Sequence, residues 1–199
     1  MPAVHVDDGL PWALTWTVAE PLERSSHALA ANGRVWLVDP VADEAALGAA
    51  EVLGEVTAVL QLLDRHPRDC AALAARYGVP HHRLPHHITG SPFELRRMVW
   101  LPGWRETALW WSEHRALVVA EAVGTASYFA VAGRRLGVHP MLRAKPPAAL
   151  RGLEPRVLLC GHGRALHEDA APALGEALAR SRRDAPRAAI AAVRAFAPG

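Results

Sequence analysis

Apolar and polar positions alternate along the first third of the chain in a way that predicts strands. Trp12–Val18 is apolar and β-favouring. His27–Ala31 and Val35–Val38 flank Asn32-Gly33, a pair that readily adopts the positive φ of a two-residue hairpin turn. Asp39-Pro40 stops that hairpin, and Ala42–Leu53 has helical spacing, with Leu47 and Ala50 on one face. Val56–Leu63 is a continuous apolar run broken only by Gln61, which predicts a buried strand. Asp69–Tyr77 then predicts a helix, with Asp69 as N-cap, Leu73 and Tyr77 sharing a face, and Gly78 with Pro80 as the stop.

The second half repeats the alternation. Phe93–Leu101 predicts an extended segment leading into Pro102-Gly103, and Ala108–Trp111 with Ala116–Ala120 a hairpin around Ser112–Arg115. Arg156–Cys160 is a short buried strand that runs into Gly161-His162-Gly163. Two apolar helical stripes follow, Leu174 with Leu178 and then Ile190, Val193 and Phe196, separated by Asp184-Ala185-Pro186. Strands with interspersed helices, ending in helices, predict a layered α/β sandwich, and no stretch has the composition of a linker. Residues 1–199 therefore read as a single domain.

Composition narrows the function more than the fold. With 51% apolar and 21% charged residues the chain is an ordinary globular sequence, and a formal charge of +2 gives no broad basic surface for nucleic acid. No apolar run reaches membrane-spanning length, because Glu121 interrupts the best one, Ala116–Ala132. Cys70 and Cys160 form no CxxC pair and read as reduced, buried thiols. With Asp7 and Asp8 near the start and no basic-then-apolar leader, a cytoplasmic location is expected.

The residues that carry chemistry are Asp64-Arg65-His66-Pro67-Arg68-Asp69, after a buried strand, and Gly161-His162-Gly163, after another. With Val35–Pro40, Leu101-Pro102-Gly103-Trp104 and Leu117–Glu121, they stand in an order that resembles the metallo-β-lactamase-fold hydrolase superfamily, in a divergent member with a degenerate HxHxDH motif. The resemblance implies an αββα four-layer sandwich with its site at one sheet edge. Position by position, the first motif histidine becomes Asp64 and the second stays His66. The motif aspartate becomes Arg68, and its last histidine becomes Asp69. The histidine of the family's PGH segment becomes Trp104, the bridging aspartate becomes Glu121, and the final histidine is His162.

On this mapping a normal two-zinc hydrolase is not expected. Trp104 has no atom able to ligate a metal, and Arg68 places a permanent cation beside the second metal position. Asp64, His66 and His162 are the metal-ligand candidates for one divalent ion (zinc, iron or manganese). Asp69 and Glu121 are the candidate catalytic carboxylates, and Arg68 and Trp104 the candidate binding groups. Three carboxylates in one pocket require a compensating cation, either that metal or Arg68 paired with Asp69 or Glu121. The resemblance implies a hydrolase-like protein acting on a small ester or thioester, or alternatively a non-catalytic small-molecule or partner-binding member of the same fold.

Each of these residues also has a plain structural reading. Asp69 serves as a helix cap, His66 as a turn residue before Pro67, and Glu121 as a solvated strand end. His81-His82 and His86-His87 read as solvated histidines without an acidic partner, and the cluster of Trp100, Trp104, Trp110 and Trp111 as core packing.

Overall fold

The computed structural model describes residues 3–196. A six-stranded sheet follows chain order: β1 (Val4–Leu10), β2 (Ala13–Val18), β3 (Ser25–Ala31), β4 (Arg34–Val38), β5 (Glu55–Gln61) and β6 (His81–Arg83). Its first four strands are antiparallel neighbours, and β4, β5 and β6 run parallel. The parallel steps are made by α1 (Glu44–Val52) and α2 (Cys70–Tyr77), each crossing from the end of one strand to the start of the next. Asn32 and Gly33, both at positive φ, form the turn between β3 and β4.

Period-two alternation assigns each face of this sheet. Val35 and Leu37 pack with Leu14, Trp16, Leu47 and Leu73 under α1 and α2. Trp36 and Val38, one residue out of phase, face the second sheet. The second sheet has the order β12 (Val157–Cys160), β9 (Ala116–Val119), β8 (Trp104–Trp111), β7 (Glu94–Leu101). Trp12, Trp36, Phe93 and Trp111 meet edge to face between the two sheets. From α3 (Ala170–Arg180), Ala170, Leu174 and Ala177 join the same core, giving the layer order α, β, β, α. A two-stranded ribbon, β10 (Val123–Gly124) with β11 (Gly137–Val138), fills the long connection between β9 and β12.

The apolar stripe expected on the last helix, α4 (Ala185–Phe196), faces outward. Ile190 and Val193 are 56% and 72% exposed, whereas Ala188 is buried and Ala191 and Ala195 pack on Ala126, Tyr128 and Phe129. Small alanines let the helix sit close, and the larger residues are left on the open side. The side chain of Phe196 lies outside the described residues.

The two sheets are stitched together along one edge. Arg24 bridges to His162, the Ser25 N–H donates to the Gly161 carbonyl at 2.8 Å, and Leu63 bridges to Glu106. That seam is where the motif loops meet.

Candidate metal centre

His66 sits in the loop between β5 and α2, where its own N–H closes a turn onto the Leu63 carbonyl. His162 follows β12, between two glycines that the backbone path requires. A Cβ at Gly161 would stand 2.5 Å from the Ala120 carbonyl oxygen; at Gly163, with φ +89°, it would stand 2.2 Å from the Ala126 nitrogen. Glu121 follows β9 on a backbone held by Glu106, whose Oε1 accepts the N–H groups of Ala120, Glu121 and Ala122, each at 3.0 Å. Glu106 is fully buried, and that burial raises its carboxyl to about 7 against the pull of these three donors.

These three loops bring His66, Glu121 and His162 together. His66 Nε2 lies 3.0 Å from Glu121 Oε1 and 3.3 Å from His162 Nε2, and His162 Nε2 lies 3.5 Å from the same Glu121 oxygen. The imidazoles are 7% and 4% exposed, so the triad meets solvent mainly at Glu121.

The far nitrogens settle the tautomers. His162 Nδ1 lies 2.8 Å from the Leu22 carbonyl oxygen, which only accepts, so Nδ1 carries the proton. The Tyr128 hydroxyl stands 2.9 Å from the same nitrogen. His66 Nδ1 faces Asp39 Oδ2 at 3.3 Å, and Asp39 Oδ1 is held by the Leu62 N–H at 2.9 Å. Asp39 is buried with φ +42°, a conformation that aspartate tolerates better than most residues. In their neutral forms both imidazoles therefore turn an Nε2 lone pair toward a carboxylate oxygen, and three acceptors then face one another with nothing to donate between them.

That arrangement calls for a cation. Ligand atoms about 2.0–2.1 Å from a zinc ion stand roughly 3.3–3.4 Å apart in tetrahedral geometry, and the three separations here are 3.0, 3.3 and 3.5 Å. The residues present fit one metal ion. Without one, the same acceptors favour a proton on His66. Burial pushes that imidazole down and Arg68 adds to it, but bonds to Asp39 and Glu121 outweigh both and hold it above the ordinary value. His162 is lowered by its burial, while Glu121, despite burial, is held well below the usual carboxylate range by the two imidazoles.

The other residues singled out from the sequence lie around the triad and not in it. Asp64 is outside the cluster: its Oδ1 is buried without a hydrogen-bond partner, and its carbonyl accepts from Gln61 and Arg83. Asp69 precedes α2, but its side chain accepts the Ala42 N–H at 2.8 Å and does not cap the helix. Arg68 pairs with neither Asp69 nor Glu121. Its guanidinium donates to the carbonyls of Asp39 (2.7 Å), Gly161 (2.9 Å) and Ser25, tying together the segments that carry the triad and its supports. Trp104 is 5% exposed and lies between the Arg65 guanidinium, 4.0 Å from its ring centre, and the His139 ring, edge to face at 4.6 Å.

Sequence reasoning gave no role to Asp39, Tyr128, Arg65, Glu106 or His139. Arg65 pairs with Glu121 Oε2, and His139 Nε2 is 3.9 Å from that oxygen. Burial lowers His139 to about 4, so it is neutral at pH 7, and its Nδ1 accepts the Met141 N–H. Only Asp39 carried a signal, as the residue ending a buried strand before a helix.

No protein-family model and no curated protein matches the sequence. Solved structures do match. A metallo-β-lactamase from Erythrobacter litoralis aligns at 9% identity with TM-score 0.61, covering 90% of this chain and 92% of that one. The metallo-β-lactamase FIM-1 from Pseudomonas aeruginosa, in its mono-zinc form, aligns at 12% identity with TM-score 0.59, covering 96% and 97%. The metallo-β-lactamase DIM-1 aligns at 12% identity and TM-score 0.59, covering 92% and 98%. At these identities the likeness establishes the fold: the chain has the αββα architecture of the metallo-β-lactamases.

Proposed function

We propose that this chain is a hydrolase-like, single-domain protein of the metallo-β-lactamase fold, located in the cytoplasm, that holds one divalent metal ion on His66, Glu121 and His162. The observation that carries the reading is the convergence of two Nε2 lone pairs and a carboxylate oxygen, with each Nδ1 already committed. A zinc, iron or manganese ion bound there would polarise a carbonyl oxygen and lower the pKa of a coordinated water. Asp39 and the Leu22 carbonyl fix the two imidazoles for that task, as outer hydrogen bonds do for metal-ligating histidines.

On this reading Glu121 is a ligand through Oε1 and an ion-pair partner of Arg65 through Oε2, so it is not free to act as a base. Asp69, bound to the loop before α1, is remote from that role as well. The guanidinium of Arg68 is spent on carbonyl oxygens, and it holds the loops together. A small ester or thioester is the substrate class proposed. One observation favours the alternative of a non-catalytic small-molecule binder: Arg65, stacked on Trp104, occupies the outward oxygen of Glu121.

Elemental analysis of the purified protein, with His66→Ala and His162→Ala beside it, tests the proposal. About one equivalent of zinc, iron or manganese, lost in both variants, supports it and opens an ester and thioester screen. A metal-free protein whose stability responds to neither substitution overturns it.

A further inference from the structure

The β7–β8 hairpin carries a second cluster of chemistry that the triad does not use. Arg97 pairs with Thr107 and Trp100 with Arg105, and a bulge lies between Arg97 and Val99. In a regular strand Arg97 and Trp100, three residues apart, would face opposite sides of the sheet. The extra residue puts both on one side, together with Arg105 and Thr107, which are two apart on β8. The result is an aromatic ring with two guanidiniums. The Arg97 carbon lies 4.2 Å from the Trp100 ring centre and the Arg105 carbon 5.4 Å. Trp104 and Glu106 alternate with these residues, so the cluster lies on the side of β8 turned away from them.

Pro85 and His86, after β6, close the opposite wall, and with Arg97, Trp100 and Thr107 they line a cavity of about 390 Å³. No carboxylate lines it. Among the described residues neither Arg97 nor Arg105 has an ion-pair partner, so no carboxylate of the chain offsets their charge. Trp100 itself is 44% exposed, an unusual position for a tryptophan unless something rests on it.

We propose that this cavity binds a tetrahedral oxyanion, the dianion of inorganic phosphate or of a small phosphomonoester. The Arg97 guanidinium, in the lining, supplies forked donors matched to such an anion, and Arg105, outside the lining but over the same Trp100 ring, adds a second charge. Stacking on Trp100 already restricts their rotation, so less freedom is lost when the anion arrives. Two full positive charges, with the His86 imidazole beside them, match a dianion better than a monocarboxylate. The cavity volume suits a small molecule.

Isothermal titration calorimetry with inorganic phosphate, phenyl phosphate and benzoate tests the assignment. Both phosphates are expected to bind, with Arg97→Gln weakening the interaction about tenfold or more, Arg105→Gln weakening it by less, and His66→Ala leaving it unchanged. These arginines are exposed, so the fold tolerates their loss. Preference for phenyl phosphate that disappears in Trp100→Leu identifies an aryl ester as the ligand type, and equal affinity identifies free phosphate. The proposal is overturned by no heat of binding from either phosphate, by benzoate binding as tightly as phenyl phosphate, or by binding that His66→Ala abolishes and Arg97→Gln does not. The last result would move the anion to the metal centre.

Discussion

Asp39→Asn isolates what an outer hydrogen bond does for the proposed metal centre. In the native chain Asp39 Oδ1 accepts the Leu62 N–H at 2.9 Å, and Oδ2 faces His66 Nδ1 at 3.3 Å. An asparagine keeps its oxygen on Leu62, where only an acceptor fits, so its NH2 group must turn to His66. A donor facing Nδ1 requires a lone pair there, and the neutral imidazole moves its proton to Nε2. That proton then points at Glu121 Oε1 and His162 Nε2, where a metal ion would sit. The shape is unchanged and the ligand is lost. Outer-shell substitutions typically weaken metal affinity 10–100-fold, or about 1.4–2.7 kcal/mol. Asp39→Asn is expected at the upper end, because it switches the tautomer as well as removing a charge. Competition of zinc between the protein and a chromophoric chelator reads the affinity, and nitrogen-15 shifts of His66 read the tautomer. Native zinc affinity with Nδ1 still protonated would refute the reasoning.

Other perturbations test the surrounding structure. Glu106→Ala leaves three buried N–H groups without an acceptor, at about 1–3 kcal/mol each, so chemical denaturation should show a loss of at least about 3 kcal/mol, whereas Glu106→Gln retains an acceptor and most of the stability. His27 is fully buried, and that burial lowers it from 6.5 to about 4. The unfolded chain therefore binds the extra proton between those values, and the stabilising contribution is complete above pH 6.5 and lost as pH falls toward 4. Unfolding free energies of the native chain and His27→Gln should diverge with pH across that window by roughly 3 kcal/mol at most, and a pH-independent difference would contradict this. Arg65→Ala removes the cation on Glu121 Oε2 and should tighten zinc binding several-fold in the same chelator competition, a modest gain because Arg65 is partly exposed.

What could be read from the sequence followed local rules. The Asn32-Gly33 hairpin, the β4–α1–β5 passage and the strand into His162 each rest on a turn residue or an apolar run a few residues long. β1 was missed because its polar, largely exposed sequence offers no buried face, and β6 stayed open between strand and loop because three residues give no period. The 123–138 ribbon escaped because its burial follows the neighbouring loops and not a repeat. The site divides in the same way. His66, Glu121 and His162 stood at motif positions, so the resemblance pointed to them. Asp64 held a motif position too, but the turn that closes on Leu63 sends its side chain elsewhere. Tyr128 and Leu22 meet His162 across 34 and 140 residues, and no local pattern marks such a meeting.

Two arginines set the charge balance at the seam between the sheets. Asp39 and Glu121 bring two negative charges to the seam between the sheets, and Arg68 and Arg65 bring two positive ones. Charge is therefore balanced before any metal arrives, which buried carboxylates without a cation could not achieve. Their bonding separates the two roles. Arg68 reaches only backbone carbonyls, so it fixes the loops and leaves every triad lone pair untouched. Arg65 takes the one triad oxygen that faces outward and leaves Oε1 turned inward. What remains is a neutral frame enclosing three converging acceptors. On the proposed reading, a metal ion in such a frame would compete with the proton that these acceptors favour on His66.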